Sequence, residues 1–324
     1  MKRREFIIAL TAAFAGMAEA EPQNKIWRIG VLETTPRQLN SENMDAFMQG
    51  LRELGYEEGR NLFLDYRSVE GNTEQLTSVV SELVRSNVDL IAVRGTPEVL
   101  ALHQQTKTIP VVMLAVVDPV DIGVASSLNH PGGNVTGLSS TVTVLESKRL
   151  GLLKDVLPTF TRVAFIGDLR NQAVKAQWDD VRAAAQPLHL EPVQFAVQGA
   201  ADIRSAFDLI QRDKFDAIRV GVDGVTRTHQ RLIIDLAGQS RLPTIYSARE
   251  FADEGGLIAY GANYPALYHR AASFVDKILK GEPPSQIPIE QPTKYELVIN
   301  LKAARALNFE IPERILALAD EVIE

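Results

Sequence analysis

VDLIAVRGTPEVLALHQQTKTIPVVML, residues 88–114, holds two short apolar runs, Val88–Val93 and Ile109–Leu114, on either side of a segment with helical character. A run that is apolar throughout suits a strand covered on both faces. Thr96-Pro97 between the runs fits a helix start, with a hydroxyl cap and proline in the first turn, and predicts a helix over 97–106. Strand, helix, strand in this order is the repeating unit of a parallel sheet.

The same rhythm extends in both directions. Upstream, residues 26–32 (IWRIGVL) read as a strand, and Met44, Phe47, Met48, Leu51 and Leu54 mark a helix over 41–54, with Ser41 as cap and Gly55 as stop. A strand over 61–67 and a helix over 73–86 complete this unit. Downstream, 115–140 breaks the pattern with Pro119, Pro131, Gly132, Gly133 and Gly137, and reads as a first crossing between lobes. The alternation then restarts, with helices over 142–156, 172–186, 201–212 and 226–239 and strands over 162–166, 190–197, 216–221 and 243–246. A strand over 257–260, a helix over 265–279, a proline-stiffened linker, a strand over 295–299 and helices over 302–307 and 312–321 finish the chain. The expected fold is α/β: two doubly wound parallel-sheet lobes joined by about three crossings. Residues 25–135 with 256–284 would form the N-terminal lobe, and 136–255 with 285–324 the C-terminal lobe.

Composition narrows the function. The chain has 324 residues, enough for about two domains of about 150 residues each. Its net charge of −7, with no long basic run, argues against nucleic acid as a partner. It has no cysteine, which removes disulfides, thiol nucleophiles, cysteine metal sites and a lipidated N-terminal anchor. The five histidines are scattered, and no HExxH or GxSxG occurs. Neither a catalytic role nor a cofactor is expected. The glycine-rich Pro131–Gly137 lacks the Gly-Lys-Ser/Thr ending of a phosphate loop and reads as a hinge-side turn.

Residues 1–20 have the three parts of a signal peptide: Lys2, Arg3 and Arg4, then an apolar stretch to Ala18, then small residues at Ala18 and Ala20. Cleavage is expected after Ala20. Arg3-Arg4-Glu5-Phe6 also resembles a twin-arginine export motif. Export without a lipid anchor favours a periplasmic location, and the mature chain is expected not to insert into a membrane.

Five segments carry a family resemblance: FMQGLRELGYEEGRNLFLDYRSVEG, DLIAVRGTPEVLALHQQTKTIPVVM, DPVDIGVASSLNHPGGNVTGLS, LPTIYSAREFADEGGLIAYG and RAASFVDKILKGEPPSQIPIEQPTKYELVINLKAARAL. Through them the chain resembles the ABC transporter substrate-binding proteins related to the tryptophan/tyrosine-type binding proteins, over nearly its whole mature length. The resemblance implies a type I periplasmic-binding-protein fold with three crossovers, a small-molecule ligand clamped between lobes by hinge closure, and delivery to a permease driven by a separate cytoplasmic ATPase. It implies an amino acid, an aromatic one foremost, or a related small metabolite as ligand. A monomer is expected. A ligand sensor docking on a membrane receptor would use the same closing motion.

Ligands of open α/β sheets bind beyond the carboxyl ends of the strands. That rule selects Thr34, Thr35, Gly95, Thr96 and Asp118 in the first lobe, and Asp168, Asn171, Asp223, Tyr246 and Ser247 in the second. Ser139 and Tyr260 come from the crossing strands. The hydroxyls and Asp223 could equally be helix caps, Asp118-Pro119 a turn, and the tyrosines core residues. If the ligand is an amino acid, one of the carboxylates should meet its ammonium group.

Overall fold

The structure is a computed structural model that describes residues 25–140 and 145–324. The expected leader and its cleavage site after Ala20 lie outside the described residues. Two sheets organise the chain. The first contains β1 (Trp27–Glu33), β2 (Leu62–Ser68), β3 (Leu90–Arg94), β4 (Val111–Val116) and β5 (Val135–Ser139), in the order β2-β1-β3-β4-β5 and parallel throughout. Helices α1 (Ser41–Glu53), α2 (Leu76–Arg85) and α3 (Thr96–Gln105) connect these strands. Strands β3, β4 and β5 are buried along their whole length, as the apolar runs of β3 and β4 require.

After α4 (Glu146–Val156) the second sheet is built from β6 (Arg162–Gly167), β7 (Glu191–Ala196), β8 (Ala217–Val220) and β9 (Thr244–Tyr246). Between these strands lie α5 (Gln172–Ala185), α6 (Ala200–Arg212), α7 (Gly224–Thr228) and α8 (Gln230–Ser240), and α9 (Arg249–Asp253) follows β9. β10 (Ile258–Ala262) stays in this sheet, and α10 (Tyr264–Leu279) crosses back to pack on α1 and behind β4. Gly50 permits that packing, because a Cβ there would lie 2.6 Å from the His269 carbonyl oxygen. The chain then runs beside β5, where Ser139 N–H donates to Glu290 O and Glu290 N–H to Gly137 O. It returns to the second sheet as β11 (Tyr295–Asn300), followed by α11 (Leu301–Leu307), α12 (Glu313–Leu316) and β12 (Glu321–Ile323). The second order is β12-β11-β10-β9-β8-β6-β7, parallel except for the antiparallel β10–β11 pair. The chain thus crosses between sheets three times, between Ser139 and Glu146, after Ala262, and between Glu290 and Tyr295.

Three sequence-based expectations change. The stretch 115–140 is not all crossing, because its end is β5. Gly137, read there as a breaker, sits at φ +122° against the Met113 backbone, so only glycine lets β5 approach β4 this closely. Strand β10 belongs to the second sheet, so β5 and β10 each sit one lobe away from the expected division at 135/136 and 255/256. The expected helix over 312–321 shortens to α12. Asp320 accepts the Leu297 N–H and so turns the last residues into an edge strand beside β11.

Candidate functional site

The carboxyl ends of the two sheets face each other across a narrow cavity. Its first wall comes from the ends of β1, β3, β4 and β5 and the starts of α3 and α10: Thr34, Thr35, Arg94–Glu98, Ala115, Val117, Ser140 and Tyr264. The second wall comes from the segments after β6 and β8: Asn171, Ala173, Val222, Asp223, Gly224 and Arg227.

Each polar group has a local reason for its place. Gly95 has φ +97° and turns the chain from β3 into α3; a Cβ there would collide with the Glu98 carboxylate folded back over it. Glu98 is buried, and burial pushes its carboxyl up to about 7, against hydrogen bonds from Thr34 and from its own backbone N–H. Its Oε2 and the Thr96 hydroxyl are buried without a hydrogen-bond partner among the described residues. Arg94 ends a fully buried strand. Its Nη1 donates to Asn40 Oδ1 at 2.9 Å, and its guanidinium lies 4.4 Å from the centre of the Tyr264 ring. Burial opposes the charge on Arg94, but Tyr268, Tyr264, Glu250 and Glu33 outweigh it and hold the group above its ordinary value. Behind Arg94, Glu33 accepts hydrogen bonds from Asn40 at 2.5 Å and from the Tyr268 hydroxyl at 2.7 Å.

On the facing wall Asp223 is spent on the protein itself. Its Oδ1 accepts the Thr226 N–H in a capping box, and its Oδ2 accepts the Asp168 N–H. Burial raises its carboxyl to about 6. Arg227 pairs with Glu250 at 2.8 Å, and its Nη2 donates to the Leu39 carbonyl oxygen of the opposite lobe at 3.0 Å. Its Nε has no hydrogen-bond partner among the described residues. Asn43, also from the first lobe, donates to Glu250 Oε1 at 3.2 Å. Arg227, Glu250, Asn43 and Leu39 therefore tie the two lobes together beside the cavity. Gly224 and Thr34 meet so closely that a Cβ on Gly224 would lie 2.7 Å from Thr34 Cβ.

Of the residues expected from sequence, Thr34, Thr35, Gly95, Thr96, Asn171 and Asp223 line this cavity, and Asp168 stands at its mouth, paired with Arg170. The other five lie elsewhere. Asp118, at φ +40° before Pro119, borders a separate acidic groove with Asp121 and Asp180. Ser139 is fully buried in β5, and its neighbour Ser140 faces the cavity instead. Tyr246 stacks on Phe251 with ring centres 4.6 Å apart, as a core residue. Ser247 accepts a hydrogen bond from Arg219, and the Tyr260 carbonyl accepts one from Arg149. Both thus serve a buried arginine–glutamate cluster. Sequence reasoning missed Arg94, Glu98, Arg227 and Tyr264. For Arg94 a signal existed, a lone charge at the end of an apolar strand. Glu98 reads as an ordinary first-turn acid, and Arg227 and Tyr264 as helix residues.

Comparison with known proteins agrees with this architecture. A Vibrio cholerae structure described as a conserved domain protein superposes with a TM-score of 0.86 at 29% identity, covering 92% of this chain and all of that one. A Streptococcus pneumoniae structure of an ABC domain in complex with L-Trp superposes at 0.85 with 27% identity, covering 92% and 99%. A tyrosine-binding protein of Clostridioides difficile is 26% identical over 87% of this chain and 81% of its own length. The sequence model of one family, described as ABC transporter substrate binding protein, matches residues 29–323, and the chain belongs to that family.

Proposed function

We propose that the protein is the extracytoplasmic substrate-binding component of an ABC importer, and that it holds an amino acid or related small metabolite in the cavity between its lobes. The carrying observation is the cavity itself. Both lobes contribute its walls, and Thr96, Glu98 and Arg227, which line it, have buried polar atoms that lack partners among the described residues. Unsatisfied buried groups are costly, so a ligand that pairs with them on both walls favours the closed form over the open one. Hinge closure follows, with the three inter-sheet segments as hinge and the Arg227–Glu250–Asn43 contact made only on closing. The closed chain would present itself as a monomer to a permease driven by a separate ATPase. The leader expected over residues 1–20 would deliver it to the periplasm. The tryptophan-bound and tyrosine-binding relatives make aromatic amino acids the first ligands to try.

The test is thermal unfolding of the purified chain against a library of amino acids and small metabolites. A ligand confined to the folded state adds about 2.7 kcal/mol at 100-fold over its Kd. A shift with one chemical class, without turnover of it, supports binding. Turnover of the ligand, or silence across the library, contradicts the reading.

A further inference from the structure

We propose that Glu98, with the Thr96 hydroxyl beside it, receives the ammonium group of an α-amino-acid ligand, while Arg227 on the facing wall, with Arg94, receives its carboxylate. This deepens the reading of the cavity as a ligand site and rests on it.

The geometry separates Glu98 from the other buried acids near the cavity. Asp223 has both oxygens committed to backbone N–H groups. Glu33 accepts from Asn40, Tyr268 and, at 3.4 Å, Tyr66, and lies behind Arg94. Glu250 meets Arg227 and Asn43 through Oε1; its Oε2 is also without a hydrogen-bond partner among the described residues, but Glu250 does not line the cavity. Of the two acids that line the cavity, Asp223 and Glu98, only Glu98 keeps a carboxylate oxygen without a partner among the described residues, at 1% exposure. The start of α3 would itself attract an anion, but the Glu98 side chain already covers it, as the collision with a Cβ on Gly95 shows. A second anion there would face Glu98 at close range. A cation would relieve it, and the Thr96 oxygen can accept one of its protons.

The opposite end of such a ligand is also provided for. Arg227 is 1% exposed, and its Nε–H is unpartnered among the described residues. A carboxylate is its natural acceptor. One cationic and one anionic recognition point on facing walls fit a zwitterion and reject a simple acid or amine, because either would leave one buried charge unmatched. The other charged and titratable groups around Glu98 are Arg94 and Tyr264 on its own wall and Asp223 and Arg227 on the facing one, with Asp168 and Arg170 paired at the mouth. Glu33 acts on it from behind and, like burial, favours its protonated form. Binding an ammonium group beside Glu98 should therefore expel a proton near neutral pH.

The test is titration calorimetry with L-tryptophan and L-tyrosine, and with the same two molecules lacking the amino group, on the wild-type chain and Glu98→Gln. In the wild type, removal of the amine from whichever amino acid binds is expected to weaken binding about 30-fold or more. Glu98→Gln should weaken the amino acid about tenfold or more while leaving the deaminated molecule unaffected or tighter. Proton release on amino-acid binding near pH 7, measured in buffers of different ionisation enthalpy, is expected in the wild type and absent in the variant. Equal binding of the deaminated molecule, equal loss of both in Glu98→Gln, or proton uptake would overturn the assignment. If neither amino acid binds while another chemical class stabilises the chain, the assignment fails and the binding-protein reading stands. If nothing in the library binds, both fail.

Discussion

Two glutamates are buried at helix starts in this molecule, and they face opposite situations. Glu146, at the start of α4, accepts from Arg149 at 2.7 Å and from Arg219 at 2.6 and 2.8 Å, so both its oxygens are matched. Burial works against its charge, but the two arginines prevail and hold its carboxyl below the usual value. Glu98, at the start of α3, is as deeply buried and has no arginine bonded to it; burial prevails and its carboxyl rises. The first glutamate closes an account within one lobe, tying α4 to β8 and, through Arg149, to the Tyr260 carbonyl. The second leaves a buried oxygen facing a cavity. Burial of charge is common to both, so it does not mark function; what distinguishes the site is the partner it lacks.

Breaking the first glutamate should have the largest effect. Glu146→Ala leaves two buried guanidiniums without their counter-charge and is expected to cost about 3–5 kcal/mol of stability in urea unfolding. A loss under 1 kcal/mol would mean the cluster is not the strut described.

The pH dependence of the two acids should then run in opposite directions. Glu98 has a folded value near 7 against 4.5 for the unfolded group, so the folded state holds its proton more tightly. Its contribution is complete below pH 4.5 and is lost as pH rises toward 7, by a few kcal/mol at most at about 1.4 kcal/mol per unit. Asp223 acts in the same sense up to about pH 6. Glu146 acts the other way: its contribution is present above the unfolded value of 4.5 and is lost as pH falls below it. Thermal unfolding of the ligand-free chain between about pH 4.5 and 7.5 should lose part of its downward slope in Glu98→Gln. An unchanged slope would remove Glu98 from the titration.

Smaller effects should come from the contacts between lobes. Gly224→Ala places a methyl group against Thr34 and should cost about 1–3 kcal/mol of closure, read as weaker ligand binding with ligand-free stability retained. Glu250→Gln, away from the cavity wall, keeps a hydrogen-bonding side chain but loses the negative charge that meets Arg227 and Asn43. It should raise the ligand off-rate about tenfold, the worth of about one hydrogen bond. Unchanged off-rates would show that this contact does not contribute to holding the lobes together.

The architecture was legible because strands such as Leu90–Arg94 and Val111–Val116 are apolar along their length, a local property of the chain. The rule of carboxyl ends then located the hydroxyls after β1 and the start of α3 correctly on the cavity. It failed where strand ends do not share one direction of approach. Tyr246 also ends a parallel strand, but its ring turns onto Phe251, and Ser247 turns toward Arg219. Arg227 and Tyr264 were illegible for a different reason. They enter the cavity from helices brought in by separate crossings of the chain, and side-chain spacing along a helix does not reveal what the opposite lobe will place there. Glu98 differs from a surface first-turn acid only through burial, which the sequence around Thr96-Pro97 does not display.

The most direct test of a ligand held between the lobes is calorimetry of the ligand identified by thermal shift, on wild type and on Ala173→Leu, which fills the cavity from the second wall. The account expects one site per chain in the wild type and about a 100-fold loss or more in the variant, with its melting temperature retained. Undiminished binding by a folded Ala173→Leu chain would place the ligand elsewhere and contradict it.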